Sequence, residues 1–230
     1  MCCLFLAASS TVAIAQTNVV DLVNPIIGTN GMGHTFPGAC VPFGLVQLSP
    51  DTDTIPHNVD GKYQPRSYEY CAGYQHKDSS IVGFSHTHFS GTGHSDLGDI
   101  LIMPTTGTLK LNPGTATNPD GGYRSRFSHG TEISRPGYYE VMLADYGVKA
   151  QLTTTQRVGI HKYTYPTNSE NQRIILDMIH GIYNYDGKVL WTNIRVENDT
   201  LVTGYRITNG WARTNYTYFA MSFSKPITHY

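Results

Sequence analysis

The segment Val148-Lys149-Ala150-Gln151-Leu152-Thr153 alternates apolar and polar side chains without interruption. Successive side chains of a strand point to opposite faces, so this alternation predicts a half-buried β-strand. The same period of two recurs near the end of the chain, over residues 216–223. Both segments indicate sheets that turn one face toward a core.

Further strands are predicted where β-branched and aromatic residues cluster between Gly, Pro, Asn and Asp. These segments are Asp99–Met103, Gly107–Leu111, Tyr138–Leu143, Gly159–Tyr165, Arg173–Met178, Val189–Val196 and Leu201–Ile207. Their spacing of about 8 to 12 residues is typical of a sandwich or barrel. Helical periodicity is weak throughout, and Val19–Val23 predicts one helical turn. We expect an all-β fold, a large antiparallel β-sandwich, formed by residues 16–230 as one domain.

The composition excludes some classes of function. Only 14% of the 230 residues are charged, and the formal net charge is -1. Binding to nucleic acid through its phosphates requires a surplus of basic residues, so a nucleic-acid partner is not expected. The 16 Tyr and 23 Gly describe an aromatic, turn-rich chain. Such a chain is suited to neutral polar ligands, because flat rings and amides then matter more than charge.

The N-terminus has the pattern of an export signal. Residues 2–14 are mostly apolar and end in Ala13-Ile14-Ala15, a small-x-small cleavage pattern. We predict a signal peptide over residues 1–15 and a secreted or periplasmic protein; a buried N-terminal strand is the alternative. The apolar run is shorter than the roughly 20 residues of a membrane span, so none is expected. After cleavage Cys40 and Cys71 remain, and either a disulfide or two free thiols fits their spacing.

Three histidines and two aspartates are concentrated within residues 83–99. On an extended strand, His86 and His88 would share a face about 7 Å apart, a spacing that chelates a transition metal with His94 or Asp96 as third ligand. The same groups serve equally as a hydrogen-bonded structural cluster or as partners of sugar hydroxyls. The residues alone leave these three interpretations open.

Catalytic motifs are missing from the sequence. It has no Gly-x-Ser-x-Gly elbow, and its glycine-rich segments lack the spacing of dinucleotide or phosphate loops. Asp96 and Asp99 are close in sequence, but this does not establish a pair of carboxylates on either side of a substrate. His34 faces either a ligand or the core, and Tyr68 is a candidate for stacking against a sugar.

Several short sequence motifs, in a fixed order along the chain, carry a family resemblance. They are Val23-Asn24-Pro25-Ile26-Ile27-Gly28-Thr29, Gly33-His34-Thr35-Phe36-Pro37-Gly38-Ala39, the segments 42–52 and 83–93, Gly98-Asp99-Ile100, Pro136-Gly137-Tyr138-Tyr139, Gly210-Trp211-Ala212 and Phe223-Ser224-Lys225-Pro226. Together they resemble the N-terminal domain of glycoside hydrolase family 92, the exo-acting α-mannosidases.

This resemblance implies a β-sandwich followed by a helical (α/α)6 barrel, in an enzyme that hydrolyses α-mannosidic bonds with inversion and depends on calcium. In the family, the acid and base and most calcium ligands belong to the barrel. The chain ends at Tyr230, so we expect a fragment that lacks the barrel and the acid/base pair and is inactive alone. We expect α-1,2-type activity on N-glycans or mannans, and no metal bound by this part.

The resemblance also implies that loops of the sandwich complete the sugar pocket. The residues expected to contact mannose hydroxyls, or to support those that do, are His34, Tyr68, His86, His88, Asp96 and Asp99. Calcium prefers oxygen ligands, so the histidines are poor candidates to bind it. The alternative is a free-standing mannose-binding module without catalysis.

Overall fold

The computed structural model describes residues 18–53, 55–91 and 96–230, so the predicted signal peptide lies outside the described residues. In the first half the strands are β1 (Ala39–Cys40), β2 (Gln47–Asp51), β3 (Ile55–Pro56), β4 (Asn58–Val59), β5 (Lys62–Tyr63), β6 (Ser80–Ile81), β7 (Gly83–Ser85) and β8 (Leu101–Thr105). In the second half they are β9 (Ser125–Arg126), β10 (Ile133–Arg135), β11 (Tyr138–Leu143), β12 (Val148–Thr154), β13 (Gly159–Thr164), β14 (Arg173–Asp177), β15 (Tyr183–Asn184), β16 (Val189–Asn198), β17 (Leu201–Thr208) and β18 (Asn215–Ser222).

Helical structure in the described ranges consists of single turns. They are the 3-10 turns Val19–Leu22, Pro119–Gly121 and His129–Thr131 and the α-helical turn Arg66–Glu69. The turn predicted at Val19–Val23 is thus confirmed. Among the described residues, no helix is long and apolar enough to cross a membrane.

Two antiparallel sheets form the sandwich. One has the strand order β1-β2-β7-β8-β14, and the other has the order β10-β11-β12-β13. Their inner faces meet in one core cluster, to which the first sheet contributes Leu48, Phe84, Leu101 and Met103 and the second contributes Tyr139, Val141, Leu143, Val148, Ala150 and Leu152. The predicted all-β sandwich is confirmed.

The alternating segment at residues 148–153 forms the centre of the second sheet. In β12, Val148, Ala150 and Leu152 are buried while the residues between them are only partly buried. Opposite them in β11 stand Leu143, Val141 and Tyr139. Each pair points to the same face, and burying each Val- or Leu-sized side chain stabilises the fold by roughly 1.5–3 kcal/mol.

A third antiparallel sheet, with the order β16-β17-β18, follows the sandwich in the chain. Alternate residues of β18 are partly buried and exposed, as its sequence pattern predicts. From β17, Arg206 reaches into the interior and is fully buried. Short pairs complete the architecture: β4 with β5 and β6 with β9 are antiparallel, and β3 with β15 is parallel.

Two strand predictions need correction. Gly107–Leu111 is not a strand; Leu109 and Leu111 are exposed, so this segment has apolar alternation but no sheet edge to pair with. The strand predicted to begin at Asp99 begins at Leu101, because Ile100 has a φ of 55° and cannot extend the strand backward. For a β-branched residue such a φ is a genuine outlier.

The predicted placement of His86 and His88 on one strand face is also wrong. Strand β7 ends at Ser85, and the two imidazoles have different partners. His86 donates from Nδ1 to the carbonyl of Ile100 at 2.6 Å, and its Nε2 lies 3.0 Å from Nε2 of His161. His88 instead contacts Asp51. The two histidines therefore do not chelate a common metal, and His94 lies outside the described residues.

Cys40 and Cys71 are both free thiols. The second of the two alternatives for these residues therefore holds. Cys71 is buried, and its thiol contacts the carbonyl of Tyr68 at 2.9 Å.

The His86–His161 contact joins the loop after β7 to the second sheet. Together with Tyr163, the two imidazoles form a chain of neutral hydrogen-bonding groups. Tyr163 donates its hydroxyl proton to Nδ1 of His161 at 2.7 Å, and His161 can then donate from Nε2 to His86. Burial lowers the pKa of His86 to about 4, and burial and the neighbouring His86 lower that of His161 well below its ordinary value.

These shifts predict a pH dependence of stability. Between the unfolded-state pKa of about 6.5 and the folded-state values, the unfolded chain binds protons that the folded chain does not, so stability falls with falling pH. In His161→Gln the amide still bridges Tyr163 and His86, but one titrating ring is gone. We expect Tm to fall less between about pH 7 and about pH 5 than in the wild type. His229→Gln, at an exposed position, is the control, and equal slopes in all three proteins would contradict the assignment.

A second prediction concerns Gly73, which has a φ of +80° and whose ideal Cβ would lie 2.1 Å from Oδ1 of Asp51. Gly107 has a similar φ of +72° but open space around its Cβ position. We expect Gly107→Ala to cost about 1–2 kcal/mol of unfolding free energy, from backbone strain alone. Gly73→Ala must in addition displace a buried carboxylate, so we expect at least about 3 kcal/mol. Urea denaturation of both variants measures the difference, and equal losses would refute it.

Candidate functional site

The loop of residues 28–37 is folded tightly upon itself and presents His34. The N–H of Thr35 donates to the carbonyl of Gly28, and the Thr35 hydroxyl donates to the carbonyl of Ile27. His34 has a φ of 51°, a conformation that a non-glycine residue adopts only when its surroundings impose it. Such positions are concentrated at functional sites.

His34 and Tyr68 meet at the surface. Their rings make an edge contact with centroids 4.7 Å apart, and Tyr68 stands on the turn Arg66–Glu69. His34 is 7% exposed and its Nε2 has no hydrogen-bond partner among the described residues, whereas Tyr68 is 39% exposed. The N–H of Gly91 donates to the carbonyl of His34, which brings the histidine-rich loop, defined here as the loop that follows β7 from residue 86 onward, to the same place. The structure thus unites the first two of the six predicted site residues.

A second feature of the site is a fully buried carboxylate, Asp51. Its Oδ1 is 2.8 Å from Nε2 of His88, and its Oδ2 is 2.8 Å from Nε2 of His180. Burial disfavours the charged carboxylate, but the two histidines outweigh this and lower the pKa of Asp51 below its usual range. His88 also contacts the carbonyl of Gln47 through Nδ1 at 2.7 Å. Both ring nitrogens of His88 therefore contact groups inside the protein. The His88 side chain thus has a supporting role in the site.

Sequence reasoning did not identify Asp51 or His180 as site residues. Asp51 belongs to the family motif of residues 42–52, but nothing in the sequence indicates which side chain pairs with it. His180 follows Asp51 by 129 residues, on the loop after β14. Only the fold brings the two together.

Asp96 and Asp99 are held by buried cations. Asp96 accepts from the Lys188 ammonium and from the N–H of Trp211 at 3.1 Å. Burial raises its pKa, but Lys188 and the backbone donors outweigh burial and lower it. Asp99 accepts from the Thr87 hydroxyl at 2.8 Å and forms an ion pair with Arg206 at 3.2 Å.

These carboxylates do not have the properties of a glycosidase acid. A general acid must hold its proton near neutral pH, which requires a raised pKa. Asp51 and Asp96 have lowered values, and Asp99 faces the buried guanidinium of Arg206. We therefore find structural carboxylates in this cluster, each balanced by a cation or by histidines.

An aromatic pair extends the surface beside His34 and Tyr68. Phe89 and Trp211 stack with centroids 6.0 Å apart, and they are 40% and 59% exposed. The Trp211 backbone is fixed by Asp96, so the ring is held in place from below. Exposed rings of this kind bind the apolar faces of sugars. In the sequence, Trp211 is recognisable only as part of the family motif Gly210-Trp211-Ala212. Its exposure is not evident from the sequence.

Calcium does not fit the described residues. This cation takes six to eight oxygen ligands. In the described ranges, the metal-type side chains that gather in groups of three or more are His76, His129 and Glu132, which offer mainly nitrogen. We derive no step through calcium from this part of the chain.

Comparison with known proteins identifies the domain. The family described as "Glycosyl hydrolase family 92 N-terminal domain" matches residues 22–230. The structure of the α-mannosidase BT3965 of Bacteroides thetaiotaomicron, in complex with mannoimidazole, aligns with a TM-score of 0.82 at 45% identity over 91% of this chain and 26% of that chain. The family 92 glycosyl hydrolase CcMan5 aligns with a TM-score of 0.68 at 25% identity, over 88% of this chain and 26% of that one.

A secreted glycosidase of Arthroderma benhamiae is 28% identical over 170 residues, which are 70% of this chain and 19% of that protein. The chain therefore spans only about a quarter or less of the length of these relatives. The family match nonetheless extends over nearly all of the described residues. The chain belongs to glycosyl hydrolase family 92, and residues 22–230 are its N-terminal domain.

Proposed function

We propose that this chain forms one wall of the sugar cleft in a secreted or periplasmic exo-α-mannosidase. His34 carries the proposal, because its buried Nε2, beside the exposed ring of Tyr68, has no hydrogen-bond partner within the part of the chain that the structure describes. Leaving such a nitrogen unsatisfied costs about 1–3 kcal/mol. A mannose hydroxyl that reaches Nε2 removes this cost, so the free energy is recovered on binding.

The surroundings of His34 suit a neutral sugar. Tyr68 offers a hydroxyl, and the stacked rings of Phe89 and Trp211 offer an apolar surface. The charged groups nearby are paired within the protein, so they are not available to select an ionic ligand. The relative BT3965 was solved with mannoimidazole, which supports mannose as the sugar.

The remaining parts of the reaction require a second domain. An inverting glycosidase needs one carboxyl group that protonates the leaving oxygen and another that activates water. Because Asp51, Asp96 and Asp99 are committed to internal partners, we propose that both groups, and the bound calcium, belong to a C-terminal (α/α)6 domain. The full enzyme would then cleave α-1,2-linked mannose from N-glycans or mannans with inversion, and Tyr68 would face the neighbouring sugar.

The role of His34 is testable in the complete enzyme. His34→Asn keeps a residue that tolerates the positive φ but removes the imidazole Nε2. We expect kcat/KM for an α-mannoside to fall about 10- to 100-fold, because one hydrogen bond to the sugar is lost, with little change in Tm. The matched control is His57→Asn, since His57 makes a similar edge contact with Tyr63 at 4.9 Å outside the cluster. Unchanged kcat/KM in His34→Asn would refute the assignment.

Because we place the acid and the base in a second domain, we predict that this domain does not hydrolyse mannosides alone. Purified residues 16–230 should release no mannose from an α-1,2-mannobiose under conditions in which the complete enzyme does. The measurement is mannose release, with an equal molar amount of the complete enzyme as positive control. Turnover by the isolated domain that survives further purification would show that an acid and a base lie within it.

A further inference from the structure

His76 meets two residues of the turn region at His129–Thr131, namely His129 itself and Glu132 directly after the turn. One ligand atom from each of His76, His129 and Glu132 lies within 4.8 Å of the other two. Zinc binds imidazole nitrogen and carboxylate oxygen at about 2.0–2.2 Å in tetrahedral geometry, so its ligand atoms lie roughly 3.5 Å apart. Side-chain adjustments of at most about 1.5 Å would bring the three atoms to this spacing. The His129 side chain is 37% exposed, and its Nδ1 lies 2.7 Å from Oε2 of Glu132, so these two groups already face each other.

The Glu132 carboxylate is prepared for a cation. Its side chain is 3% exposed, and it accepts from the hydroxyl of Tyr139 at 2.6 Å and from that of Tyr74 at 2.9 Å. Metal-bound carboxylates are commonly fixed by outer hydrogen bonds of this kind.

The two imidazole rings pack against each other, tilted, beside this carboxylate. Their centroids are 3.9 Å apart and their planes are inclined by 30°. An unprotonated imidazole has a lone pair on one ring nitrogen to offer to a metal. Phe127 packs against His129 edge-on, with centroids 5.0 Å apart, and orients its ring. The protein thus brings two nitrogens and one anionic oxygen together.

We propose that His76, His129 and Glu132 bind a divalent transition metal of the zinc class. Two imidazoles and one carboxylate are a donor set that zinc accepts, with water in the fourth position, and the exposure of His129 leaves room for that water. The proposal does not depend on the mannosidase function. It concerns a nitrogen-rich site, whereas calcium requires oxygen ligands.

The location of the site gives it a structural consequence. The N–H of His76 donates to the carbonyl of Thr29 at 2.8 Å, and the neighbouring Gln75 side chain makes two hydrogen bonds to the backbone of Gly31. A metal on His76 would therefore fix the anchor of the loop that presents His34. The metal and the sugar would occupy opposite ends of one loop.

The test uses Co²⁺ alone as the probe, because its visible absorption reports the number and type of its ligands. The complete purified protein is stripped with a chelator and exchanged into a buffer that contains excess Ca²⁺ but no transition metal. It is then titrated with Co²⁺. We expect one Co²⁺ per chain with the intense absorption of a four- or five-coordinate site, displaced by Zn²⁺ and unaffected by Ca²⁺.

Variants at the ligands assign the site. His129→Gln and His76→Gln should each weaken Co²⁺ binding at least tenfold, while the control His57→Gln should bind as the wild type does. Both ligand variants change partly exposed or exposed side chains, and unchanged melting curves in metal-free buffer will show that they fold. Failure of the wild type to bind one Co²⁺ overturns the proposal, and so does binding that persists in both ligand variants.

Discussion

The architecture of the site depends on the buried carboxylate of Asp51. A charge with no exposure to solvent is tolerated only when it is fully paired, and removing one partner of a buried pair costs about 3–5 kcal/mol. His88 and His180 provide this pairing from two loops that are far apart in sequence. Gly73 provides the room, because any side chain there would overlap the carboxylate. One internal interaction therefore fixes the end of β2, the histidine-rich loop and the loop after β14 relative to one another.

The site is built in two layers as a result. In the inner layer, Asp51, His88, Asp99 and His86 are engaged with internal partners. In the outer layer, His34 retains an unpaired nitrogen, and Tyr68, Phe89 and Trp211 expose their rings. Binding groups held within small tolerances require such a supporting shell. The inner layer is the reason that so many polar residues are concentrated in a segment of which only a few face outward.

The sequence predicted the regular sheets well and the site only in part. Strand β11 was predicted with its observed bounds, and β12 to within one residue, because their alternation is local information. The pairing of His86 with His161, of Asp51 with His180 and of Asp96 with Lys188 joins residues far apart in the chain, and no local pattern encodes it. The error about His86 and His88 had the same origin: whether the strand ends at Ser85 is decided by partners elsewhere. The family motifs located the loops but could not distinguish supporting residues from those that face a ligand.

The same pairing disfavours general acid catalysis by the buried carboxylates of this domain. For Asp96 to serve as a general acid, its pKa would have to rise, and this requires the loss of the Lys188 ammonium beside it. Lys188 is 1% exposed, so an unpaired ammonium would remain in the interior at a cost of about 3–5 kcal/mol. Asp99 is bound in the same way to the fully buried Arg206. The Lys188 ammonium thus holds the pKa of Asp96 low, and Arg206 engages Asp99 in the interior, so proton transfer requires carboxyl groups placed in a different environment.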